Sequence, residues 1–202
     1  MPKWMWNSSK KTLLILDLSD NFLTGFHQLP VILPWTNLQF LDLSNNKLQG
    51  SLPIPPPSIF SYLVSNNTLT GEIPQIICNL SSLFVLDLSY NNLSGMLPDC
   101  LGNLGFSLSV LNLRRNNFHG NIPQVCKKGS KLKMIDFTQN QLQGWIPRSL
   151  VNCTMLETLL LGNNQINDSF PSWLGVLPKL GVLILRYNQL QGAIVFNLFR
   201  KK

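Results

Sequence analysis

Two arginines stand side by side in the stretch "VLNLRRNNFHG", residues 110–120. An earlier stretch, "VLDLSYNNLSG" at 85–95, has the same skeleton of Leu, Asn and Gly. Asp87, Ser89 and Tyr90 of the earlier stretch become Asn112, Arg114 and Arg115 in the later one. A recurring position that turns to arginine has either drifted in solvent or touches a partner. Other residues with chemical capacity are scattered. His27 and His119 lie far apart with no partnered nucleophile, and neither a phosphate-binding glycine loop nor a Cys/His metal spacing occurs. No catalytic residue, cofactor or metal is predicted. Asp17, Asp42, Asp87 and Asp136 recur at one offset. Carboxylates on adjacent strands could share a cation, but the Asp recurs with its unit, "LDLS", and reads as architecture. Sequons for N-glycosylation occur at Asn7, Asn66, Asn79, Asn92, Asn152 and Asn167, to be used only on an exported chain.

The net charge of +7 suggests an anionic partner until it is mapped. Lys3, Lys10, Lys11, Arg200, Lys201 and Lys202 cluster at the two ends, which leaves 10 basic against 9 acidic residues between them. A nucleic-acid reading therefore loses its support. Only 12% of the chain is charged and 45% is hydrophobic, so surface polarity rests on Asn and Ser, and disorder is excluded. No apolar run approaches the ~18 residues of a membrane span. The start, "MPKWMWNSSKK", lacks the apolar centre of an export signal.

These residues are positioned by a repeat. The frame Leu-x-x-Leu-x-Leu-x-x-Asn places Asn21, Asn46, Asn67, Asn91, Asn116, Asn140, Asn164 and Asn188 at spacings of 21 to 25 residues. Within "LxL" the period of two predicts a half-buried strand. Leu86 and Leu88 then point inward, and Val85, Asp87 and Ser89 outward. Stacked units make a parallel sheet with strands ~4.8 Å apart. The eight Asn side chains are expected to form a buried ladder that satisfies turn backbone. Gly25, Gly50, Gly71, Gly95, Gly120, Gly144 and Gly192 follow four residues later and predict a positive φ. Asp168 holds that place in the seventh unit and is expected to adopt the same conformation. No unit buries its apolar edge alone, so stability is a sum of neighbour interfaces.

Outward residues that break the unit are the candidate ligand contacts. Alternation points Val110, Asn112 and Arg114 outward, then Met134, Asp136 and Thr138, then Thr158, Leu160 and Gly162, then Val182, Ile184 and Arg186. The C-terminal half of this sheet loses its Asp/Ser columns and gains apolar residues and arginines. Asn112, Arg114, Lys133, Met134, Thr158, Leu160, Ile184, Arg186 and Tyr187 are the predicted binding residues. Arg115 lies where alternation ends, and its direction is left open. Lys127, Lys128 and Lys131 follow an Ile-Pro step and belong to the opposite, convex side, as a solvated charge run. Cys78, Cys100, Cys126 and Cys153 also sit there. Four cysteines allow three pairings. Similar offsets in neighbouring repeats favour Cys78–Cys100 if the chain is oxidised, and favour Cys126–Cys153 less.

The frame matches the leucine-rich repeat pattern. The steps "SLP" 51–53, "EIP" 72–74, "MLP" 96–98, "NIP" 121–123 and "WIP" 145–147 complete a unit that resembles the plant-specific class. The stretches "MPKWMWN…LDLSDNFLTGF" and 159–194 resemble plant receptor-like proteins in particular. The fold implied is an α/β solenoid, a right-handed superhelix of about eight repeats with a concave parallel sheet. The resemblance implies an extracellular binding module for a protein or peptide ligand, acting with a co-receptor kinase at the plasma membrane. Residues 1–202 read as one array that starts and ends within a repeat, with Met1-Pro2 and Val195 at the cuts. It reads as an interior piece of an ectodomain without cap, membrane helix or kinase, with any membrane attachment expected through segments absent from it. Two alternatives stand beside this. One is an inhibitor of wall-degrading enzymes similar to polygalacturonase-inhibiting proteins. The other is a truncation product without function.

Overall fold

The computed structural model describes residues 10–26 and 32–194. Asn7, His27, the Met1-Pro2 step and Val195 lie outside the described residues. Eight short parallel strands form the larger sheet: β1 (Ile15–Asp17), β2 (Phe40–Asp42), β4 (Ser61–Leu63), β6 (Val85–Asp87), β8 (Val110–Asn112), β10 (Met134–Asp136), β12 (Thr158–Leu160) and β14 (Val182–Ile184). Each pairs with the strand of the next repeat without a register slip. One row therefore runs Asp17, Asp42, Leu63, Asp87, Asn112, Asp136, Leu160 and Ile184 across the sheet. The middle residue of each strand points into the core. Leu41, Tyr62, Leu86, Ile135 and Leu159 are fully buried.

The chain then reverses at the frame asparagine, and all eight turns are built alike. The residue before the Asn is left-handed in every repeat: Asp20, Asn45, Asn66, Tyr90, Arg115, Gln139, Asn163 and Tyr187 have φ between 53° and 60°. Such a conformation costs roughly 1–2 kcal/mol for a residue with a Cβ. In the first seven it is held because the amide of the left-handed residue bonds forward to the next repeat, as Tyr90 N–H does to the Arg114 carbonyl at 2.8 Å. The frame Asn itself is a two-sided clamp. Asn116 Oδ1 accepts from Leu93 N–H of the preceding repeat at 3.0 Å. Its Nδ2 donates to the carbonyls of Leu88 (3.0 Å) and Leu113 (3.2 Å). The same pattern recurs from Asn46 to Asn188. Among the described residues the Asn21 side chain bonds only within its own repeat.

Beyond each turn lies a second parallel sheet, of six strands: β3 (Gln49–Gly50), β5 (Thr68–Gly71), β7 (Asn92–Met96), β9 (Asn117–Asn121), β11 (Gln141–Gly144) and β13 (Gln165–Ile166). The glycines that close these segments have φ of 73° to 84° at Gly50, Gly71, Gly95, Gly120, Gly144 and Gly192, while Gly25 opens to 159°. Asp168 departs from the expectation, for its φ is not positive. Its carboxylate instead takes the backbone amides of Ile146 (3.1 Å) and Ser169 (2.7 Å). A side chain that can bond backbone directly has no need of the strained conformation.

The convex side is made of short helical turns: Gln75–Asn79, Leu101–Leu104, Arg148–Asn152 and Ser172–Val176. Each of the three 3-10 turns follows a proline, which needs no amide there; Pro74 and Pro147 are extended, whereas Pro171 is not. Cys78 pairs with Cys100 and Cys126 with Cys153, with Cα atoms 5.7 and 5.5 Å apart. Both lie inside the usual range for a disulfide. The second pairing forms despite unlike offsets.

Candidate ligand-binding surface

The large sheet presents three outward rows, and their side chains divide into those already committed and those free. The aspartates of the central row are committed. Asp17, Asp42, Asp87 and Asp136 each accept the amide of the residue two positions on, at 2.8 to 3.0 Å. The Ser19 hydroxyl and amide also hold the Asp17 carboxyl below its ordinary value. Leu63 and Asn112 interrupt the column. Among the described residues no cluster of His, Cys, Asp or Glu could hold a metal ion. The recurring Asp is thus an Asx cap on the strand end. Asn112 performs the same service: its Oδ1 accepts from Arg114 N–H at 3.2 Å, and its Nδ2 donates to Asp87 at 3.0 Å. Asp136 and Thr138, counted as outward, are buried, and the Thr138 hydroxyl donates to Asp136.

Arg114 faces the sheet surface half-buried, with its guanidinium 5.5 Å from the Tyr90 ring centroid. Arg115 is the exposed left-handed residue of its turn, and its guanidinium stands at the same distance from that ring. Tyr90 thus gathers both arginines. This partner escaped sequence reasoning, which treated alternation as ending where the left-handed residue begins. Arg114 Nε is enclosed yet has no hydrogen-bond partner. It is a donor left unspent on this surface.

The C-terminal repeats form a separate patch. Leu160 and Ile184 are register partners, as are Met134, Thr158 and Val182 in the row beside them. Val182 is 45% and Ile184 37% exposed, while Leu160 is only partly so. Gly162 has no side chain, and the Arg186 stem lies along its backbone beside Ile184. Arg186 in turn stacks near Tyr187, 5.8 Å away, which is 74% exposed. Arg114 and Arg186 stand three repeats apart, roughly 14 Å by strand spacing, so they do not share one pocket. Lys133 forms a solvent-exposed pair with Glu157 at 4.0 Å, of a kind that contributes about 0–1 kcal/mol.

The remaining sequence-predicted residues fall elsewhere. His119 is exposed on β9, away from the large sheet. Lys127 bonds Asn103 on the convex side at 2.6 Å. Asn66, Asn79, Asn92, Asn152 and Asn167 are all exposed. Asn66 Nδ2, the atom a glycan would take, donates to Asn45 at 2.8 Å.

Eight Leu/Asn units, a clamped turn and an open outward sheet define a leucine-rich repeat solenoid. Leucine-rich repeat family models match residues 106–166 and, separately, 37–63, 60–80 and 82–104. The chain belongs to the leucine-rich repeat family, and its repeats are those of plant receptor-like proteins. It is 42% identical to Receptor-like protein 32 and 43% identical to Receptor-like protein 54, both of Arabidopsis thaliana, over 96% of its length. It spans 20% and 24% of those relatives. Among solved structures, the plant peptide hormone receptor RGFR1 in complex with RGF2 superposes with a TM-score of 0.81 at 30% identity. That match covers 91% of this chain and 30% of the receptor. The Arabidopsis HAESA ectodomain in complex with an IDA peptide gives 0.79 at 33% identity, covering 88% and 30%. Among the described residues no helix is long and apolar enough to cross a membrane.

Proposed function

We propose that this array is a non-enzymatic binding module whose ligand is an extracellular protein or peptide. The ligand lies across the concave sheet of repeats five to eight. The observation that carries this reading is the pairing of Leu160 with Ile184 and Thr158 with Val182, beside Arg186 and Tyr187. At the Leu160 and Ile184 position other repeats supply the caps Asp17, Asp42, Asp87 and Asp136, and at the Arg186 position they supply Ser19, Ser44 and Ser89. The scaffold needs nothing apolar there, since repeats with Asp42 or Asp87 close the same turn. An apolar patch edged by Arg and Tyr is the composition of a binding hot spot. Arg114 and its unbonded Nε offer a second contact toward the middle of the array. The peptide complexes of RGFR1 and HAESA support a peptide ligand, and a further HAESA structure, with IDA and the co-receptor SERK1, supports a kinase partner. By the same kinship the module works on the extracellular face of the plant plasma membrane.

The test restores the unit. Leu160→Asp and Ile184→Asp, made in a full-length receptor-like protein carrying this array, leave folding intact because the repeat tolerates Asp there. A loss of ligand response of at least tenfold is expected, with Arg114→Ala weakening it further. An undiminished response in both variants sinks the reading.

A further inference from the structure

The second sheet has a face that the ligand surface does not use. One outward row of it in the C-terminal repeats consists of amides. Asn121, Gln143 and Gln165 are register partners across β9, β11 and β13, and Gln189 continues the row into the next repeat. Among the described residues none of these four side chains makes a hydrogen bond with the chain. One line further on, Gln191 Nε2 donates to Asn167 Oδ1 at 2.8 Å. Trp145 stands beside this row, two residues on from Gln143 and 75% exposed, where other repeats carry Ser51, Glu72, Met96 or Ser169. A cavity of about 470 Å³ is lined by Asn121, Gln143, Trp145, Gln165, Asn167 and Gln189. It contains no charged residue. The nearest charges are occupied: Asp168 bonds two backbone amides, and the Arg148 guanidinium sits 4.6 Å from the Trp173 ring.

We propose that this lateral face binds a neutral, extended oligosaccharide. Each primary amide offers one acceptor and two donors in one plane, which suits a pair of neighbouring hydroxyls. An exposed indole offers an apolar plate for the C–H face of a sugar ring while its N–H remains available. The lack of charge argues against an acidic wall polysaccharide or a peptide terminus. The amides repeat at the strand spacing of ~4.8 Å, close to the advance of one pyranose along a β-linked chain. A flat, β-1,4-linked hexose chain therefore meets one amide per residue, with Trp145 beside the row for one of its rings. Asn167 is itself an acceptor for N-glycosylation, so a sugar on this face can come from solution or from the chain. This site is independent of the concave surface and stands or falls separately.

The test titrates cellohexaose calorimetrically into the full chain, made with its disulfides in a host that does not glycosylate. Saturable binding is expected, weakened about tenfold by Trp145→Ala, the scale of a lost aromatic contact. Gln165→Leu should weaken it as well, with both variants keeping the parent unfolding midpoint. A charged oligogalacturonide of equal length should not compete. Absence of binding to the bare chain overturns the proposal, as does binding indifferent to Trp145 or equal affinity for the charged oligomer. In the chain made in a plant host, binding that returns only with Asn167→Gln assigns the resident sugar to the chain's own glycan.

Discussion

Asn116→Ala tests the ladder where it is most enclosed. The side chain is buried, and its four bonds are not equal. The Leu88 and Leu113 carbonyls keep second partners, since Asn91 Nδ2 bonds the first at 3.2 Å and Asn140 Nδ2 the second at 3.0 Å. The Leu93 amide has no such reserve: Asn116 Oδ1 is its acceptor, and Leu93 is fully buried. Alanine leaves that N–H unbonded away from water, a penalty of about 1–3 kcal/mol, and removes carbonyl bonds with a net contribution near 1 kcal/mol each. The expected loss is about 3 kcal/mol. Asn21→Ala is the control, because Asn21 is exposed and bonds only its own turn; it should cost under about 1 kcal/mol. Urea unfolding with intact disulfides measures both. Hydrogen exchange locates the damage, since a solenoid need not unfold as one unit. The Leu93 amide should lose protection first. If Asn116→Ala falls within about 0.5 kcal/mol of Asn21→Ala with Leu93 still protected, the clamp is not what holds the repeats together.

Three further outcomes follow from single contacts. Gly102 lies buried in the turn Leu101–Leu104, and a Cβ there would collide with the Gln124 carbonyl of the next repeat. Gly102→Ala should therefore destabilise by about 2 kcal/mol in thermal unfolding, although helix propensity alone predicts a gain of about 1 kcal/mol. Cys78 and Cys100 are partly exposed while Cys126 and Cys153 are buried, so limited reduction and alkylation should label the first pair well before the second by mass spectrometry. Burial pushes the Tyr62 phenol well above its ordinary value of 10.0, and its hydroxyl donates to the Pro53 carbonyl at 2.6 Å. The unfolded chain loses that proton first, so this contribution is complete below pH 10 and declines as pH rises beyond it. Tyr62→Phe should cost about 1 kcal/mol at pH 8 and flatten the alkaline loss; an unchanged slope above pH 10 would refute this assignment.

The sheet was legible because two codes coincide in it. "LxL" repeats with period two inside a unit of about 24 residues, and both periods hold across eight units. The frame Asn was legible as a turn residue because an amide can bond backbone on both sides. The second sheet obeys the same rule in "NNLSGM" and "NNFHGN", where Leu93 and Phe118 are buried between exposed or half-buried neighbours. Attention to the first strand hid it. The left-handed residue before each Asn left no such trace. Asp20, Asn45, Asn66 and Asn163 suit that conformation, but Tyr90, Arg115, Gln139 and Tyr187 do not. Neighbouring repeats impose it through backbone bonds, so residue type there is free to vary. That freedom explains the arginine pair. Arg115 can be any residue the turn will hold, and Tyr90 one repeat earlier occupies the equivalent place. Arg114 sits on the strand side, where serine is the habit, and its guanidinium reaches back to the Tyr90 ring. A scaffold that fixes backbone by its own ladder releases these outward positions from structural duty. The residues most informative about binding are therefore those that the repeat does not determine.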